Sequence, residues 1–163
     1  MNIFLIGFMG TGKSTISAVL GKELSTEVIE MDELIVKRQG MPISQIFETR
    51  GEEYFRELET GLLVELQQRD GVIVSCGGGT PMRECNVAEM KKSGIIVLLT
   101  ARPETIFERV RYSHNRPLIE HNKTVEYIAE LLEKRREKYE AAADVTIATD
   151  GKDTREICRE IQD

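Results

Sequence analysis

A short apolar run, Ile3-Phe4-Leu5-Ile6, leads without a break into Gly7-Phe8-Met9-Gly10-Thr11-Gly12-Lys13-Ser14, and a helical pattern follows. Strand, glycine loop, then helix is the context that a Walker A phosphate loop requires. The glycines let the backbone curl so that its N–H groups face phosphate oxygens, and the new helix adds its positive end. Lys13 is placed to reach the β- and γ-phosphates, and the Ser14 hydroxyl to ligate Mg²⁺. An ordinary glycine turn capping a helix explains the glycines but leaves the Lys-Ser pair and the preceding strand as coincidences. The chain is therefore expected to bind a nucleoside triphosphate, with Gly10, Thr11, Gly12, Lys13, Ser14 and Thr15 as contacts.

Downstream, apolar runs alternate with helical patterns. Candidate strands are Ile3–Ile6, Val28–Met31, Val72–Ser75, Ile95–Leu99 and Val145–Ala148. Stretches between them carry apolar residues three and four apart. This alternation argues for an α/β fold, a parallel sheet covered by helices on both faces. At 163 residues, with no internal repeat and no linker, one domain over 1–163 is expected. A net charge of −6 gives no basic footprint for nucleic acid or a membrane surface. No apolar run approaches the roughly 20 residues of a membrane span. The N-terminus lacks a basic segment of signal-peptide type. Three cysteines, Cys76, Cys85 and Cys158, form no Cys-x-x-Cys, which suits free thiols in a reducing cytoplasm.

A phosphate loop does not say what is done with the nucleotide. Asp32 follows the second candidate strand and opens a helix. It reads equally as an N-cap and as a carboxylate at the strand ends, where α/β sheets bind ligands. Gly77-Gly78-Gly79 follows the third strand. Three glycines in a row cost folding entropy and make sense where backbone must approach a ligand closely. Val125, Ile128, Leu132 and Tyr139 form one helical stripe, with Arg135 read as inside it and Arg136 at its edge. A charge on a core-facing stripe needs a partner. Arg56 flanks a second stripe of Phe55, Leu58, Leu62 and Leu66, with Glu52 as its ordinary helical partner. Arg109, Arg111 and Arg116 crowd an irregular stretch, residues 112–123, long enough to be a lid. His114 and His121, in the same stretch, have no neighbours at metal-ligand spacing.

Taken together the chain resembles the shikimate kinases. The resemblance rests on GFMGTGKST, MDELI, FETRGEEYFRELE, SCGGGTP, NRPLI and RREKYEAAAD, in order and at their expected places. It implies a three-layer α/β/α P-loop kinase fold with a five-stranded parallel sheet, a substrate-binding helical region at about 32–60 and a lid at about 112–123. It also implies transfer of the γ-phosphoryl of ATP to the 3-hydroxyl of shikimate, on the route to aromatic amino acids, by a cytoplasmic monomer. In the resemblance Asp32 contacts the shikimate hydroxyls and serves as base. Arg56 and Arg135 hold the shikimate carboxylate, and Gly77, Gly78 and Gly79 lie beside the substrate. Arg116 closes on the phosphates and Arg109 lies against adenine. Two departures stand out. The family's Asp near the Mg²⁺ water shell is Glu30 here, which like Asp32 is a candidate metal contact through water. Thr149-Asp150-Gly151-Lys152 matches the adenine-side loop only loosely.

Two other readings stay open at this level. One is a related P-loop kinase for another small hydroxy acid such as gluconate, and the other a nucleotide-binding module without turnover. A GTPase is disfavoured, because Asn122-Lys123-Thr124-Val125 lacks the Asp of the guanine motif.

Overall fold

β1 (Asn2–Ile6) is the middle strand of the sheet, and both of its faces are covered. In the computed structural model, which describes residues 1–111 and 124–162, Phe4 and Ile6 face one helical layer and Leu5 the other. All three side chains are fully buried. That is why the run reads as continuously apolar rather than alternating. β2 (Val28–Glu30), β3 (Ile73–Ser75), β4 (Gly94–Thr100) and β5 (Val145–Ala148) join it in the order β2-β3-β1-β4-β5. Every pairing is parallel, with Leu5 opposite Ser75 on one side and Val97 on the other.

Helices α1 (Lys13–Leu24) and α8 (Thr154–Gln162) cover one face. Ile16, Leu20, Ile157 and Cys158 pack there on Leu5, Ile73, Val97, Leu99 and Ile147. The other face carries α4 (Glu52–Leu66), α5 (Glu84–Ser93), α6 (Pro103–Val110) and α7 (Val125–Ala142). Their apolar sides close over Phe4, Ile6, Val74, Ile96 and Leu98. Between β2 and α4 come two shorter helices, α2 (Met31–Gln39) and α3 (Ile43–Arg50). This is the expected three-layer arrangement.

The connection after β1 crosses to β2, whereas those after β3 and β4 run the opposite way. The reversal falls at β1, whose C-terminal end carries the phosphate loop, and α/β sheets bind ligands at such a point. One boundary differs from expectation. Met31 continues the apolar run of β2, yet the last β2 pairing is Glu30 with Ser75, and Met31 is the first residue of α2. The strand passes into the helix with no intervening loop. No helix among the described residues is long and apolar enough to cross a membrane.

Candidate active site

The C-terminal ends of the strands open into a cavity of about 860 Å³, within the size range of small-molecule sites. The phosphate loop walls one side. Gly12 is the N-cap of α1 in the left-handed region at φ 97°, a conformation that L side chains resist, and it turns the chain into the helix. Lys13 Nζ donates to the carbonyls of Gly7 (2.6 Å) and Phe8 (3.1 Å), which places the ammonium over the mouth of the loop. Gly10, Gly12, Lys13, Ser14 and Thr15 line the cavity. Thr11, expected among them, does not. It is buried, and both its backbone N–H (3.3 Å) and its Oγ1 (2.8 Å) donate to the Phe8 carbonyl, closing the loop's turn in this structure.

Glu30 ends β2 beside this loop. Its Oε2 accepts from Ser14 Oγ at 3.1 Å and its Oε1 from Ser17 Oγ at 3.2 Å. The carboxylate therefore lies on the first turn of α1 rather than pointing into solvent. Asp32, two residues on, is not the N-cap of α2. That position is Glu30, and Asp32 sits within the first helical turn with its Oδ1 buried.

The glycine run after β3 explains how several charges share one wall. None of the three glycines has a positive φ. Their importance is the volume that they leave empty. A Cβ at Gly77 would lie 2.7 Å from Asp32 Oδ1 and 2.9 Å from Glu59 Oε2. At Gly78 it would lie 3.3 Å from Arg135 Nη1, and at Gly79 2.5 Å from Arg56 Nη1. Close approach was expected here. What approaches the backbone in this structure is the set of charged side chains.

Arg56 Nη1 donates to Glu59 Oε1 at 2.7 Å, and its Nε and Nη2 reach Glu52 Oε2 at 3.3 Å. Burial works against the Arg56 cation, but the Glu59 and Glu52 carboxylates outweigh it and hold its pKa above the usual value. Glu59, absent from the sequence-based candidates, is completely buried and also accepts from Thr80 Oγ1 at 2.7 Å. Burial pushes its carboxyl upward. Arg56 and Thr80 pull the other way, and the neighbouring Asp32 charge adds to the rise. Arg135, on α7, lies over the Phe8 ring and donates to Tyr139 Oη at 3.4 Å. Tyr139 in turn donates to the Gly78 carbonyl at 2.7 Å. Arg136 is on the exposed side of α7, paired with Glu133 and Glu140.

Arg109, on α6, donates to the Gly10 carbonyl at 2.8 Å and to Thr149 Oγ1 at 3.3 Å. It thus ties the loop after β5 to the phosphate loop. Cys76 is buried with its Sγ 3.8 Å from Met90 Sδ, and burial raises its thiol pKa, so it is a core residue. Arg116, His114, His121 and the lid at 112–123 lie outside the described residues.

The cavity thus has one wall formed by the glycine loop, the carboxylates of Glu30 and Asp32 where β2 passes into α2, and two arginines against the glycine run. Its hard oxygen donors near the loop, the Ser14 hydroxyl and the Glu30 carboxylate, suit Mg²⁺, which takes oxygen ligands and keeps several waters.

Comparison with known proteins converges on one family. A model described as shikimate kinase matches residues 9–163. A shikimate kinase of Dehalococcoides mccartyi is 40% identical over 162 residues, spanning 99% of this chain and 92% of that protein. One from Geobacter sulfurreducens is 41% identical over 160 residues, spanning 98% and 88%. Among solved structures, shikimate kinase from Acinetobacter baumannii in complex with shikimate has a TM-score of 0.93 at 34% identity, covering 99% of this chain and 90% of that one. A gluconokinase from Sinorhizobium meliloti, 20% identical with a TM-score of 0.61 over 98% of this chain and 87% of that one, shares the fold alone.

Proposed function

The chain belongs to the shikimate kinase family, and we propose on that footing that it moves the γ-phosphoryl group of ATP to the 3-hydroxyl of shikimate. The observation that carries this reading is the placement of Asp32, Arg135 and Arg56 along the glycine run, in the same cavity as the phosphate loop. Two guanidinium groups suit the carboxylate of a small acid. Asp32 then faces its hydroxyls.

In the reaction the acceptor oxygen forms a bond to the γ-phosphorus, the bond to the β–γ bridging oxygen breaks, and ADP leaves. The hydroxyl proton goes to Asp32. Little covalent work is asked of the protein, so positioning and charge neutralisation dominate. Lys13 and the loop N–H groups hold the phosphates, and Arg56 and Arg135 fix the acceptor. Arg116 completes the phosphate contacts and Arg109 those to the base. Mg²⁺, when bound, neutralises phosphate charge, and the residues that would hold it are Ser14 directly and Glu30 and Asp32 through water. We read the protein as a cytoplasmic monomer, since its three cysteines are free thiols and one chain supplies both walls of the cavity. Sedimentation as a single 18.5 kDa species is the expected result, and a stable dimer contradicts it.

ADP release measured in parallel with shikimate, with gluconate and without acceptor tests the assignment. Release is expected only with shikimate. Equal rates without an acceptor, or preference for gluconate, overturn it.

The glycine wall supplies a second test. An alanine at position 79 would place a methyl within 2.5–2.7 Å of the Arg56 guanidinium. That group ends a flexible chain and can yield, so Gly79→Ala should fold normally. Its displacement costs a charge-assisted contact, worth about 1.5–3 kcal/mol, or roughly ten- to a hundredfold in shikimate affinity. Calorimetry is expected to show this loss with ADP binding unchanged. Undiminished shikimate affinity removes Arg56 from the binding role.

A further inference from the structure

The metal end of the cavity contains a side chain that the phosphate-loop motif does not include. Ser17 follows Ser14 by one helical turn on α1, so the two hydroxyls share a face. Ser17 is fully buried. Its Oγ lies 3.0 Å from the Ser14 carbonyl and 3.2 Å from Glu30 Oε1. A buried serine within a helix is ordinarily satisfied by bonding back to a carbonyl one turn earlier. Here its single hydroxyl proton is shared between the Ser14 carbonyl and, at the slightly longer distance, Glu30 Oε1.

We propose that Ser17 is a positioning residue for the metal site: it anchors one oxygen of Glu30 so that the other stays against the Ser14 hydroxyl. This rests on the reading of Ser14 as a direct Mg²⁺ ligand and of Glu30 as a contact through water. The chemistry is directional. Ser14 has one hydroxyl proton, and in this structure it is donated to Glu30 Oε2 at 3.1 Å. Its lone pairs are thereby left for a cation, and donation to a carboxylate makes the oxygen a better ligand.

Glu30 can do this only if its carboxylate stays in place. Its side chain is long and freely rotating, and it is only half-buried at the end of an edge strand. Fixing a glutamate side chain sacrifices substantial rotamer freedom. Clamping both carboxylate oxygens, one from Ser14 and one from Ser17, holds the long side chain to a single arrangement.

The test is calorimetric ADP binding, measured with Mg²⁺ and again with EDTA. The quantity of interest is the gain in affinity that Mg²⁺ confers. Outer contacts of a metal site typically change metal affinity about 10–100-fold. Glu30→Gln is expected to reduce the Mg²⁺ gain about tenfold. Ser17→Ala, acting through Glu30, should reduce it by roughly three- to tenfold and leave ADP affinity in EDTA unchanged. The double variant should lose no more than Glu30→Gln alone. Ser17→Cys, nearly the same size but a weak donor, should behave like Ser17→Ala and guards against a packing defect. If Glu30→Gln lowers the gain and neither Ser17 variant does, the Ser17 proposal falls and the Glu30 reading stands. If Glu30→Gln leaves the gain unchanged, both fall. Equal weakening with and without Mg²⁺ assigns Ser17 a purely structural role and also overturns the proposal.

Discussion

Lys13→Met is expected to lower kcat by about 10²–10³-fold, the usual cost of removing one preorganised group aimed at developing charge, while the protein melts close to the wild-type temperature. Both halves follow from the same contacts. Lys13 Nζ rests on the Gly7 and Phe8 carbonyls, so a charge is fixed over the loop by the backbone. Methionine keeps the length of the side chain and removes that charge. Structurally little is lost. Phe8 O retains the Thr11 N–H and hydroxyl as donors, which leaves the charge-assisted contact to the Gly7 carbonyl as the main loss, at most about 1.5–3 kcal/mol. Shikimate affinity should also survive, because Arg56 and Arg135 lie across the cavity on α4 and α7. Steady-state kinetics together with a thermal melt checks this. A variant with near-wild-type kcat contradicts the phosphate-loop assignment, and a collapsed melt would make Lys13 a structural residue.

Much of this site is legible in the sequence because its parts are local. The phosphate loop is eight consecutive residues, and the five strands are apolar runs separated by helical spacing. Met31 is misplaced because an apolar run reads the same in a buried strand and in a buried helix start. Glu59 was missed although the information was present. On the α4 wheel it falls between Leu66 and Leu63, both buried. A charge inside an apolar stripe needs a partner, Glu59 as much as Arg135.

The α7 wheel shows the limit of such arithmetic. Centred on Val125, Ile128, Leu132 and Tyr139, the stripe leaves Arg135 and Arg136 about 50° to either side, so it does not separate them. The helix also packs Leu131 and Ala142 inward. Adding these two moves the centre to about 20° from Arg135 and about 80° from Arg136. The Ser17–Glu30 contact is of another kind. It joins a helix to a strand that is separate in sequence, and only the packing of α1 across the sheet brings the two together.

Asp32→Asn should lower kcat by about 10²-fold or more, the lower end of general base effects, because phosphoryl transfer depends more on positioning than on proton removal. Asparagine keeps the shape of the side chain that fits against Gly77, so the fold and the cavity wall remain. It removes the charge proposed to accept the hydroxyl proton. Asp32 also lies in the first turn of α2, where a carboxylate favours the helix by roughly 0.3–1 kcal/mol, so a small drop in stability is expected. Its effect on Glu59 works in a useful direction. The Asp32 charge is one of the influences that raise the Glu59 carboxyl. Without it Glu59 ionises more readily and holds Arg56 at least as firmly, so the carboxylate end of shikimate should be held as before. The expected pattern is therefore a fall in kcat much larger than any change in ATP affinity or in shikimate KM. Kinetics with each substrate varied in turn reads all three. Parallel losses in kcat and in ATP affinity would mean that Asp32 acts by supporting the start of α2, and the proton would then need another acceptor.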